Sequence, residues 1–401
     1  MVANEYMTKL TELEQFNGVV LLKKKDQIIL KKAYNMRDEK NSKLYVYDDS
    51  QFDIRSISKL FAKVSVVDLE QKGLLNKNDL IEKYLPDFPN GNQITIEHLM
   101  NNKSGLPREL SNVENTLELM PEQVIQLASK ESLEFEPGAD QRYSNVGFQL
   151  LYYIIGQVTE GSFADYLKNT YFKPLQMIGT ADNFDSKLTD WSKYAYGHYW
   201  NDDKLQCVES FPNDDMKMGN FHSTVEDFAI FLSMVDEEKY SSLRTDGAIL
   251  HAGGTRGKRA YVVRNFDADY TLIFLANYDG IPFEKLVKDL QSILKGEKVI
   301  MPKEVNRTSV EVSEDILKYY EGTYDFVDAG HIVVTLKLEE GMLNVYQKGK
   351  NQGILYPESE SIFFADETSE ESFEFKKNDS GTYDAYMDFQ GVRWKGIRIK
   401  K

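Results

Sequence analysis

The hydrophobic pattern of this chain changes period once, and that change limits the fold more than any other feature. Before about residue 296, short apolar runs mix with 3.6-residue repeats; beyond Pro302 only short runs remain. The later runs are Ile332–Leu336, Met342–Tyr346, Ile354–Tyr356, Ser361–Phe364, Ser372–Lys376, Tyr383–Phe389 and Trp394–Ile399, separated by Gly, Asn, Asp and Glu. Strands at such spacing predict a small all-β domain, a barrel or sandwich. Residues 297–303 read as a linker, so the expected domains are 1–298 and 304–401. A chain of 401 residues is long enough to bury two cores.

The first part is mixed. Val19–Leu22 and Ile28–Leu30 read as a strand pair joined at Lys23-Lys24-Lys25-Asp26. Ser56 stands where an N-cap belongs, ahead of Ile57, Leu60, Phe61, Val64, Val67 and Leu69 at helical spacing, with Gly73 as a stop. Further helices are expected over Val146–Val158, over Phe163–Tyr171 behind Ser162, after a capping box at Thr224 and Asp227, and from Pro282 to Lys295. Ala260–Arg264 and Tyr270–Ala276 read as strands.

The net charge of −16 argues against nucleic acid, whose phosphates need a basic face, and against anionic membranes. No apolar run is long enough to span a bilayer. Met1–Glu14 is polar and lacks the apolar core of a secretory leader, so the protein is expected in the cytoplasm or outside with a leader removed. The lone Cys207 has no internal disulfide partner and reads as an ordinary residue. His98, His198, His222, His251 and His331 are scattered without a ligand spacing, so no metal is expected.

Ser56-Ile57-Ser58-Lys59 carries the chemistry. On a helix, residues three apart share a face, so the Lys59 amine can reach the Ser56 hydroxyl and take its proton. A second match, Ser292-Ile293-Leu294-Lys295, sits at a helix end, where a lysine suits the dipole. Ser58 faces away and reads as packing. Acyl transfer also needs a second proton carrier and donors for the oxyanion. Tyr143-Ser144-Asn145 offers a phenol, expected to be lowered by nearby ammonium charge, and an amide. Tyr199-Trp200-Asn201 is another copy, read as a cleft or surface aromatic. His251-Ala252-Gly253-Gly254 offers an imidazole and a slim strand edge. Gly253 to Lys258 is one residue short of a phosphate loop, and Arg259 replaces its Ser/Thr, so nucleotide binding is rejected. His98 reads as structural.

These elements, in this order, resemble the penicillin-binding-protein-like serine hydrolases, the family of class C β-lactamases, D-alanyl-D-alanine peptidases and related esterases. The resemblance also rests on Phe52-Asp53-Ile54-Arg55, on Asp79-Leu80-Ile81 with Tyr84-Leu85-Pro86, on Ile96-Glu97-His98-Leu99-Met100, and on Ser104-Gly105-Leu106-Pro107. Phe135-Glu136-Pro137-Gly138 and Pro174-Leu175-Gln176-Met177 with Thr180 extend it over roughly residues 15–296. It implies an α+β fold: an antiparallel sheet flanked by helices, a mostly helical region, and the small all-β domain following. It implies Ser56 as acylated nucleophile, Lys59 as its activator and Tyr143 as partner in proton transfer. Asn145, His251, Gly253 and Gly254 would bind substrate, with the Ser56 and Gly254 amides on the oxyanion. No cofactor is implied. The expected partner is an ester, a D-amino-acid peptide or amide, or a β-lactam.

The chain departs from the family at Asn102, where histidine is common, and at Lys258-Arg259, where an aromatic is common. It is also short between Phe231 and His251, where relatives carry an extra helix and strand. That shortness raises a different expectation, a catalytically weak binding or sensor protein with a missing cleft wall.

Overall fold

The computed structural model describes residues 2–40, 42–111, 119–183, 191–201, 204–208, 219–389 and 391–400. The chain forms two compact units, 1–281 with 294–297 and 282–293 with 298–401. The sequence reading places the helix near 282–295 in the first domain; residues 282–293 group with the second unit.

In the first unit, five antiparallel strands form a sheet in the order Gln27–Tyr34, Gly18–Lys24, Tyr270–Ala276, Lys258–Asn265, Ala248–Thr255. Tyr270–Ala276 is buried along its whole length, as expected of a central strand covered on both faces. An N-terminal helix, Val2–Glu12, buries Ala3, Tyr6, Met7 and Leu10 on one face. That 3.6-residue stripe lies in the polar segment Met1–Glu14, for which no helix is expected from the sequence.

Ser58–Gln71 is a buried helix, and Gly73 at φ +70° follows its end. Its start differs from expectation. Ser56 lies in a preceding 3-10 turn, Arg55–Ile57, and caps nothing. Its hydroxyl is engaged by Lys59 and Tyr143 instead. The expected caps at Ser162 and Thr224 form, accepting from the amides of Asp165 and Asp227 and starting Phe163–Leu167 and Val225–Met234; Ser144, not expected as a cap, accepts from Gly147 and starts Asn145–Val158. The expected capping box at Thr224 closes only halfway. Asp227 turns its carboxylate to the Gly179 amide and the Thr180 hydroxyl, each at 2.8 Å, so it ties two segments together.

The second unit contains a closed eight-stranded antiparallel barrel. Its strands are Gly322–Phe326, Ile332–Glu339, Met342–Gln347, Lys350–Pro357, Ile362–Phe364, Ser372–Lys377, Tyr383–Phe389 and Val392–Lys400. The first pairs with the last, so of the barrel and sandwich expected, the barrel forms. Tyr324, Phe326, Leu336, Leu343, Phe363 and Phe375 fill its core. Gly396 is required there, because a Cβ would meet the Phe326 ring at 2.6 Å.

The core of the first unit centres on Phe61, fully buried among Phe172, Phe221, Phe228 and Phe231 at ring-centroid distances of 5.3, 5.8, 5.5 and 4.7 Å. Most of these pairs are edge-to-face, the favoured aromatic geometry. Phe61→Ala removes the hub, and chemical denaturation of this unit should show a loss of about 3–5 kcal/mol.

Candidate active site

The segment carrying Ser56 is held from below. Phe52 and Asp53 pair with Ser223 and His222 in a short sheet. The chain then turns through Arg55 at φ +46°, a left-handed conformation that costs a non-glycine residue energy. The turn brings Ser56 and Lys59 to one face, where the Lys59 amine lies 3.1 Å from Ser56 Oγ.

Lys59 is only 5% exposed, and its amine sits 4.9 Å and 5.4 Å from the ring centres of Tyr143 and Phe148. Burial pushes its pKa down to about 7; the Glu109 carboxylate opposes this, and the Arg108 and Arg55 guanidinium groups assist it. A buried lysine of this kind is close to half neutral near pH 7.

Tyr143 donates its hydroxyl to Ser56 Oγ at 2.7 Å. Burial is the main influence on it and raises its pKa. The sequence reading expects the opposite, a phenol lowered by an adjacent ammonium. The expectation fails because the same dry pocket that covers the phenol also discharges the lysine.

Tyr143 is positioned by a neighbouring loop. The amide of Arg142 donates to the Asn102 carbonyl at 2.9 Å, and that of Ser144 to the Asn102 side-chain oxygen at 3.1 Å. Ser144 Oγ donates to the Pro107 carbonyl at 2.7 Å, and the Asn145 amide to the Arg108 carbonyl at 2.9 Å. Asn102, noted above only as a departure from the family, therefore braces both sides of Tyr143, at φ +56°. The Asn145 side chain donates to Glu109 Oε1 at 2.5 Å.

The third element is the edge strand Ala248–Thr255, which pairs with Lys258–Asn265 over its full length. The short stretch after Phe231 is spanned by the rest of a helix and a 3-10 turn, Glu238–Leu243. Among the described residues no strand stands between that helix and the edge strand beside Ser56, which is paired along its length on its inner side. Gly253 packs against the Ser56 turn so closely that a Cβ would lie 2.4 Å from the Ile54 carbonyl and 3.3 Å from the Ser56 amide nitrogen. Only glycine allows the two backbones to meet there.

His251 lies on the same strand, its Nδ1 2.7 Å from the Ala252 carbonyl. Burial lowers its pKa to about 4, the carbonyl contact opposes this, and Lys59 and Lys63 add to the lowering. It is a neutral imidazole near pH 7, donating through Nδ1 because a carbonyl only accepts.

A cleft of about 270 Å³ opens over Ser56, Lys59, Tyr143, Asn145 and Gly254; His251 and Gly253 are not among its lining residues. Arg55, Arg108, Glu109 and Thr255 also line it. Arg108-Glu109 directly follow the Ser104-Gly105-Leu106-Pro107 block, and that adjacency was the available signal for them.

The other candidates fall elsewhere. Tyr199 lies in a hairpin under the Arg256 guanidinium, 3.9 Å from its ring centre, and Cys207 is in the partner strand. Ser292 and Lys295 are in the last turn of Phe283–Lys295. Ser58 is buried. His98 closes a capping box with Thr95 at the start of Ile96–Met100. Among the described residues, no three His, Cys, Asp or Glu side chains group as metal ligands. No helix among them is long and apolar enough to cross a membrane.

Comparison with known proteins agrees with the fold. Residues 4–246 match the Beta-lactamase family. Penicillin-binding protein 4* of Bacillus subtilis (strain 168) is 26% identical, covering 98% of this chain and 97% of that protein. Protein flp of Staphylococcus aureus (strain COL) is 30% identical over 178 residues, 42% of this chain and 36% of its own length. The octameric penicillin-binding protein homologue from Pyrococcus abyssi superposes with a TM-score of 0.64 at 21% identity, over 97% of each chain. The D-amino acid amidase of Ochrobactrum anthropi SV3 also gives 0.64, at 20% identity, over 74% of this chain and 99% of that one. The two superpositions speak for the fold, and the family match speaks for descent. The chain belongs to the beta-lactamase family, among the penicillin-binding-protein-like serine hydrolases that its motifs resemble.

Proposed function

We propose that the protein hydrolyses an acyl substrate through a covalent intermediate on Ser56. The observation that carries this reading is the convergence of two proton carriers on one oxygen: Lys59 Nζ at 3.1 Å and the Tyr143 hydroxyl at 2.7 Å from Ser56 Oγ. Neutral Lys59 takes the serine proton as Oγ attacks the acyl carbon. The oxyanion that forms faces the amides of Ser56 and Gly254, on the turn and strand that Gly253 brings together. Tyr143, kept protonated by burial, passes its proton to the leaving group and recovers one from Lys59. Water then attacks the ester carbonyl, with the same pair removing its proton and returning it to Ser56 Oγ.

The cleft is small and strongly polar at its mouth, where Arg55, Arg108 and Glu109 stand. This supports a compact polar acyl group. An ester, a D-amino-acid amide or peptide, or a β-lactam each provides one, and the likeness to a D-amino acid amidase and to penicillin-binding proteins supports the last two.

Intact mass after treatment with a fluorophosphonate and with panels of esters, D-amino-acid amides and β-lactams tests the nucleophile. A single adduct is expected on the native chain and none on Ser56→Ala. Equal labelling of the two would remove Ser56 from its role, and no labelling of either would favour a binding protein.

The pH profile tests Lys59. Its neutral form is the competent base, so kcat/KM should rise with pH through a midpoint near 7. Lys59→Arg should lose roughly 10²–10⁴-fold in kcat, because a guanidinium stays protonated. A profile without that midpoint in the native enzyme would assign the proton to another group.

A further inference from the structure

Two residues outside the cleft bear on its geometry. Asp53 stands three positions before Ser56, and its side chain is fully buried. Its Oδ1 accepts from the amide of Arg55 at 3.1 Å, which is the residue at φ +46°. Its Oδ2 lies 3.4 Å from Arg55 Nε and 3.3 Å from Lys258 Nζ. Lys258 is itself buried, with its amine donating to the Tyr194 hydroxyl at 2.9 Å.

Lys258 is the first residue of the strand that pairs with the edge strand, directly opposite Thr255. The pair Asp53–Lys258 therefore joins the turn that carries the Ser56 amide to the hairpin that carries the Gly254 amide. Gly253 lets these backbones touch, but a missing side chain supplies no attraction. The ion pair does. A buried carboxylate would carry a large desolvation cost if left alone. With Lys258, the Arg55 amide and the Arg55 guanidinium around it, the same charge becomes the reason the left-handed turn persists.

We infer that the buried Asp53–Lys258 ion pair is a positioning device, holding the Ser56 turn and the Gly254 hairpin at the spacing an oxyanion requires. The inference rests on the acyl-enzyme reading above. Neither side chain touches the reacting atoms; both act through the backbones they hold.

Lys258→Met keeps the length of the side chain and removes its charge. With p-nitrophenyl butyrate as substrate, kcat should fall by about 10–100-fold, the scale of a sub-ångström to ångström misplacement, while KM changes little. Affinity for phenylboronic acid, a tetrahedral mimic, should fall in parallel with kcat/KM. A merely structural role would lower the melting temperature without separating kcat from KM.

Four outcomes decide the matter. The expected split in folded Lys258→Met supports the clamp. Native kcat and boronate affinity in folded Lys258→Met overturn it, with the acyl-enzyme reading intact. If Lys258→Met does not fold, Tyr194→Phe carries the test: it deletes one oxygen beside the same amine, should lower kcat a few-fold, and overturns the clamp if kcat is unchanged. Failure of the native enzyme to accept the fluorophosphonate overturns the acyl-enzyme reading, and the clamp falls with it.

Discussion

The removal of water from the Lys59 amine is the condition on which the rest of the site depends. An exposed lysine is an ammonium ion at neutral pH and cannot accept a proton from serine. Bringing its pKa from 10.5 to about 7 corresponds to a penalty on the charged form on the order of 5 kcal/mol. That penalty is carried by the folded state. It requires Tyr143 and Phe148 to cover the amine and the Ser58–Gln71 helix to be anchored in a core that cannot yield. The aromatic group around Phe61, two residues beyond Lys59, is the part of the molecule that meets this requirement. Its distance from the cleft is short, but its contribution is made through rigidity.

Three separate stretches of chain meet at Ser56, each fixed by its own local device. The Ser56 turn is fixed by its left-handed residue and a buried carboxylate. The loop of Asn102 to Glu109 grips Tyr143 through side-chain and backbone hydrogen bonds. The edge strand is fixed by backbone pairing and by two glycines with no Cβ to obstruct it. The resulting centre is polar at its mouth and dry at its base. This division lets Tyr143 stay a donor and Lys59 an acceptor within contact of one oxygen.

Much of this was legible in the sequence because it follows from short-range rules. Ser162 and Thr224 announce helix starts, and Gly73 a stop, from side-chain chemistry that works at any point in a fold. The spacing of Ser56 and Lys59 places them together with no tertiary knowledge. The misses have the opposite origin. Ser56 reads as a cap because its hydroxyl is suited to capping; in the fold Lys59 and Tyr143, the second of them 87 positions away, engage it instead. Tyr143 reads as a lowered phenol because charge is visible in a sequence and burial is not. The strand Gly322–Phe326 has a glycine, a threonine and an aspartate among five residues, and it becomes a strand by pairing at both edges. Asp53 and Lys258 are 205 positions apart, and nothing local links them. The helix Val2–Glu12 is different: its stripe of Ala3, Tyr6, Met7 and Leu10 is plain in the sequence, but short and set among polar residues.

The closed barrel has a consequence for the order of events during synthesis. Seven of its eight seams join strands that are neighbours in the chain, so each can zip as soon as its second strand is made. The eighth joins Gly322–Phe326 to Val392–Lys400, the strand that emerges last. Until then the nascent meander carries two unpaired edges at once, the feature most prone to wrong pairing. A chain lacking that strand would keep both edges open, each a template for pairing with another chain.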